Sequence, residues 1–286
     1  MKSLKRRAIR EFIKRHPLGS FFALSYIWAW SFWSHLVVST TPGSFFQGVP
    51  SPTFLVLALV GGFGPTVAGF IVARITQGKE GIQALIGQLK QWRANLSWYV
   101  IVLFLVPLVI LATTGIHQLL GIPVQFGDIV SRAALGIIWP IFAAFGEEFG
   151  WRGFALPKLQ STRTALRSSL IIGLAWGMWH LPVDFLVLRH YGGLFIPYFI
   201  IVGPAMTTAY SILMTWVYNN TKSSLLLILL FHFSITSSAI LLSQSGLSLT
   251  DSLRVSLMSA GIFWIIAATV IHMTGAKPVA LKAGQD

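Results

Sequence analysis

Cysteine is absent from the 286 residues, so neither a disulfide framework nor a thiolate metal site can exist. Acid is scarce as well: eight Asp and Glu stand against 21 Lys and Arg. Charged residues make up 10% of the chain, where a soluble globular protein carries about 25%. Apolar residues fill the gap, at 55% of the sequence and a mean hydropathy of +0.73. These shortages exclude an ordinary soluble fold and point to a polytopic membrane protein. The net charge of +13 does not indicate a nucleic-acid binder, because the basic residues gather in short segments between apolar runs.

Eight segments approach or reach the roughly 20 apolar residues that a span requires. They are 19–39, 53–75, 97–117, 129–150, 168–188, 194–218, 223–243 and 253–274. The predicted fold is an all-α bundle of about eight transmembrane helices, one domain over 1–286 with no internal repeat or linker. Met1-Lys-Ser-Leu-Lys-Arg-Arg has the character of a signal-peptide start. The long stretch behind it lacks a small-x-small cleavage site, so an uncleaved first helix is expected. Eighteen of the 21 basic residues fall in the N-terminal tail, the second, fourth and sixth loops, or the C-terminal tail with Lys277 and Lys282. Only Arg132, Arg189 and Arg254 fall on the other side. Cytoplasmic loops are the basic ones, so both termini are expected in the cytoplasm and the protein in the plasma membrane.

Local signals are fewer. Gly61-Gly62-Phe-Gly64-Pro65 predicts a bend or a close helix contact. Gln83 to Trp92 is amphipathic and suits the cytoplasmic surface. Pro42, Pro50 and Pro52 mark an uncharged outer loop, and His117 and Asp128 border the next one as solvated residues.

The chemistry gathers around Phe142-Ala-Ala-Phe-Gly-Glu147-Glu148-Phe-Gly-Trp-Arg152. A charge in hydrocarbon costs several kcal/mol, so two adjacent glutamates there need partners or a wet cavity. Glu148 and Arg152 are four residues apart on a helix and can pair with each other. Glu147 points about 100° away and is free to act as a base, a second ion pair or a protonated core carboxyl. Glu147 lies 5 residues before Arg152 and 11 before Lys158, His180 13 after Arg167, and His232 10 after Lys222. At 1.5 Å per residue all three sit roughly 10–20 Å from the basic face. Thr236 follows His232 by four residues and shares its face. Asp184, nearer Arg189 and His190, is read as structural, and Trp151, Trp176 and Trp179 as packing, with the lining of a substrate groove as the alternative.

These residues resemble the CAAX-processing and bacteriocin-processing intramembrane proteases, which include the type II CAAX prenyl endopeptidases. The pattern of that family is Glu-Glu-x-x-x-Arg, then Phe-x-x-x-His, then His-x-x-x-Asn or Asp. Glu147-Glu148-Phe-Gly-Trp-Arg152 matches the first motif in full. Trp176-Gly-Met-Trp-His180 matches the second with one aromatic for another, and His232-Phe-Ser-Ile-Thr236 carries threonine where the amide or acid stands. The resemblance covers about 130–240. It implies an endopeptidase with Glu147 as general base, His180 positioning water, and His232 and Thr236 at the oxyanion. Glu148 and Arg152 would support the site. Two histidines and a glutamate are also zinc ligands, so zinc or another divalent metal at Glu147, His180 and His232 stays open beside the favoured metal-free mechanism. The implied partners are the bilayer and a peptide or lipidated protein, at a site facing the cytoplasm; oligomeric state is not legible. A proton-coupled transporter and a non-catalytic binding or immunity protein are the competing readings.

Overall fold

The computed structural model describes residues 2–40, 51–122 and 124–274; Pro42, Pro50, Lys277 and Lys282 lie outside them. Hydrocarbon offers no partner for a free backbone N–H or C=O, so a chain this apolar satisfies them internally, in helices. Helices α1 (Lys2–Arg15), α2 (Pro17–Ser39), α3 (Pro52–Gly62), α4 (Gly64–Gly87), α5 (Leu96–Leu119) and α6 (Ile129–Glu148) form the first half. Then come α7 (Leu156–Gln160), α8 (Ala165–Trp179), α9 (Leu181–Leu188), α10 (Phe195–Ile200), α11 (Met206–Asn220), α12 (Leu225–Leu241) and α13 (Leu249–Thr274). Among the described residues, six helical stretches are long and apolar enough to cross a membrane, and α12 is a shorter apolar helix. The chain is an integral, multi-pass helical bundle. Large apolar side chains face outward along it, including Val100, Phe104 and Leu108 on α5 and Ile137, Ile138 and Ile141 on α6, as a lipid-facing belt requires.

Three expected spans are broken rods, the 194–218 segment among them, which kinks at Gly203 (φ −83°, ψ −108°) just before Pro204. The 53–75 segment divides at Phe63 between α3 and α4, where the glycines admit close contact: a Cβ on Gly61 would lie 2.3 Å from the Trp33 indole nitrogen. The 168–188 segment divides at His180, because Pro182 lacks the N–H that would continue α8 into α9. The Gln83–Trp92 region begins on α4 beyond a turn at Gly78 (φ 73°) and runs through a 3₁₀ turn, Gln88–Lys90. His117 is corrected: it is buried rather than solvated, its ring nitrogen Nδ1 bonding the carbonyl of Thr113 at 2.8 Å. Asp128 caps α6 by accepting from the Val130 N–H.

Cross-contacts define two ends. At the basic end Gln88 donates to the Gly153 carbonyl and accepts from the Tyr218 hydroxyl. At the far end β1 (Gln125–Phe126) pairs antiparallel with β2 (Gln244–Ser245), Arg132 donates to the Ser243 carbonyl, and Arg189 bonds the carbonyls of Val37 and Thr40. Helices α6 and α12 pack most extensively against each other, and they carry the residues that matter next.

Candidate active site

Glu147 and Glu148 are the last two residues of α6, followed by a π-helical turn, Phe149–Ala155. Such widened turns recur at functional sites. All seven of its residues are buried. Close approach is built into it: a Cβ on Gly150 would stand 2.2 Å from the carbonyl oxygen of Pro65 on α4.

Glu148 and Arg152 are both wholly buried, and one guanidinium nitrogen donates to both carboxylate oxygens, at 2.9 and 3.0 Å. The expected pair therefore forms, and Glu148 does more. Its Oε1 also meets His232 Nδ1 at 2.6 Å. A carboxylate accepts, so that nitrogen carries the proton and Nε2 turns the other way, toward Glu147. The distance from His232 Nε2 to Glu147 Oε1 is 3.9 Å.

His180 reaches the same atom by a different route. Its backbone N–H has tightened onto the Gly177 carbonyl at the α8–α9 break, which releases the Trp176 carbonyl. The His180 ring takes that acceptor with Nδ1 at 3.0 Å. Its Nε2 then faces Glu147 Oε1, also at 3.9 Å. The two imidazoles and the carboxylate, from the three expected helices, thus address one point.

Trp176 completes the arrangement. Its indole N–H donates to Glu147 Oε2 at 2.6 Å, its ring lies under the Arg152 guanidinium at 4.5 Å, and both histidines touch its faces or edges. Reading it as packing misses this bond, although an indole N–H beside an intramembrane acid is the signal that finds it. Trp151 and Trp179 are buried packing residues, Trp179 donating to the Ser25 carbonyl.

The point they face is the floor of a cavity of about 470 Å³. Its polar lining consists of Glu147, His180, Asp184 and His232 with the hydroxyls of Thr207, Tyr210 and Thr236. The Thr236 hydroxyl has no hydrogen-bond partner among the described residues. The cavity runs in one direction. On α6 it is lined by residues before Glu148, on α8 and α9 by Trp176 and those after it, and on α12 by His232 and those after it. It therefore extends from Glu147 toward the far end, and the buried turn 149–155 lies on the basic side.

The donor set His, His, Glu has the chemistry of a catalytic zinc site. The geometry fits less well: 3.9 Å between donor atoms exceeds the about 3.3 Å between two ligands of one tetrahedral zinc. Among the described residues no three His, Cys, Asp or Glu form a group that could hold a metal ion. One water, by contrast, suits the spacing. A gap of 3.9 Å is too long for a direct hydrogen bond and short enough for one oxygen to reach both atoms at about 2.8 Å.

Comparison with known proteins finds similarity over the stretch that carries these residues. Residues 129–238 match the family model described as type II CAAX prenyl endopeptidase Rce1-like. The chain is 26% identical over 272 residues to the CAAX prenyl protease 2 of Methanococcus maripaludis, an alignment covering 88% of this chain and 90% of that protein.

Proposed function

We propose that this chain, which is similar to the Rce1-like type II CAAX prenyl endopeptidases, is a membrane peptidase in which Glu147 activates a water for attack on a peptide bond at the cavity floor. The water donates to Glu147 Oε1 and to the unprotonated His180 Nε2. As its oxygen bonds the peptide carbon, the proton passes to Glu147. Collapse of the tetrahedral intermediate breaks the C–N bond, and Glu147 returns that proton to the leaving amine. His232, carrying protons on both nitrogens, donates Nε2–H to the oxyanion while Glu148 holds its other side; the Thr236 hydroxyl lies on the same wall as a second donor. Two carboxylates, one guanidinium and one imidazolium then balance in charge. Such a donor contributes about 2.7–4 kcal/mol to acyl-transfer transition states.

The observation that carries this reading is the convergence of Glu147 Oε1, His180 Nε2 and His232 Nε2, each imidazole oriented by a bond to its other nitrogen. The proposed substrate is a peptide segment of a membrane-associated or lipidated protein, since the cavity walls are apolar and lie at membrane depth. With the basic end in the plasma membrane's cytoplasmic leaflet, this peptide reaches the floor from the opposite half of the bilayer, in place of the cytoplasm-facing access that the sequence reading expected. The direction of the cavity supports that route over access through the buried turn.

The test is cleavage of internally quenched apolar peptides by the purified full chain in proteoliposomes. Glu147→Gln, His180→Ala and His232→Ala are each expected to lower turnover by about 10²–10⁴-fold while eluting as folded protein in detergent. Undiminished cleavage by Glu147→Gln removes the general-base role.

A further inference from the structure

Asp184 is the one acid in the cavity that the hydrolysis above does not use. It stands on α9, four residues after His180, with Gly203 beside it: a Cβ there would be 3.6 Å from its Oδ2. Its proximity to Arg189 in the chain suggests an ion pair, and the structure does not form one. Arg189 gives its guanidinium to the Val37 and Thr40 carbonyls, Arg132 donates to Ser243, and Arg254 pairs with Asp251. All three arginines of the far end are thus committed elsewhere, and among the described residues nothing hydrogen-bonds or pairs with the Asp184 carboxylate. His180, one turn below, has Nδ1 on the Trp176 carbonyl and Nε2 toward Glu147.

An ionised acid on an apolar wall at membrane depth is costly unless a cation meets it, and the described residues supply none. We propose that the substrate does: Asp184 is a recognition site for the ammonium or guanidinium of a lysine or arginine side chain in the peptide being cut. Four helical residues separate Asp184 from His180 by about 6 Å. An extended peptide advances about 3.3 Å per residue, so the cation belongs to a residue within about two of the scissile bond.

This inference rests on the peptidase reading, and the experiment separates the two. Binding is measured on the full-length Glu147→Gln protein in detergent, by tryptophan fluorescence, with three apolar peptides identical except for one position: lysine, norleucine or glutamate. The lysine peptide is expected to bind about 10- to 100-fold tighter than the norleucine peptide, the range of one charge-assisted contact. Adding Asp184→Asn or Asp184→Ser is expected to bring that ratio near one, and Asp184→Lys to transfer the preference to glutamate. Equal binding of lysine and norleucine peptides, or a lysine preference that survives both neutral variants, overturns the cation site. Cleavage by Glu147→Gln overturns the base assignment instead and leaves the binding ratio to be judged by itself.

Discussion

A phenylalanine at position 176 would fill nearly the space of Trp176 and leave Glu147 Oε2 without its donor. The motif this stretch resembles carries that phenylalanine, so this chain holds the Glu147 carboxylate by a bond that a phenylalanine could not make. An N–H bond to a carboxylate is worth about 1.5–3 kcal/mol, and here it aims the opposite oxygen at both imidazoles. Trp176→Phe is therefore expected to lower kcat about 10- to 100-fold with KM within about twofold, read from steady-state peptide cleavage. An unchanged kcat would make the indole a packing residue only. The roster of Glu147, Glu148, Arg152, His180 and His232 is legible in the sequence, because i, i+4 spacing and counted depth need only one helix at a time. The bonds from Trp176 to Glu147 and from His232 to Glu148 are not, since each depends on how side chains on two helices meet. Asp184 reads in the sequence as a structural residue near Arg189 and His190; that its carboxylate lines the cavity while Arg189 bonds α2 is visible only in the structure.

Two short irregular elements do the placing. Pro182 is visible in the sequence, but its effect, a freed Trp176 carbonyl that orients His180, follows from backbone detail that hydropathy cannot carry. The π-helical turn after Glu148 is similarly hidden inside an apolar run. Its packing leaves no room at Gly150, where a methyl group would meet backbone of α4 and not a movable side chain. Gly150→Ala is expected to destabilise the protein by about 1–3 kcal/mol, seen as a lower thermal midpoint in detergent, and to reduce cleavage because the turn anchors Arg152 against Glu148. A midpoint equal to that of the unaltered protein would mean that α4 and the turn are not held together as tightly as the 2.2 Å approach implies.

Hydropathy carries the bundle as a whole, since a long apolar run has few choices but helix; it does not carry the direction of the cavity, which depends on which faces fail to pack. Absence of cysteine makes that direction measurable with single substitutions. Ala239→Cys lines the cavity beyond His232, whereas Ser161→Cys lies exposed between Lys158 and Arg163 at the basic end. A membrane-impermeant maleimide added to intact cells is expected to label the first, and the second only after permeabilisation; the reverse pattern would invert the orientation. The small ribbon of β1 and β2 bears on how a substrate gets in. It ties the connection leading into α6 to the one leaving α12, so the helix bearing both glutamates and the helix bearing His232 are clasped at the rim as well as along their lengths. Those two helices therefore form a single wall of the cavity, tied at its rim as well as at its floor.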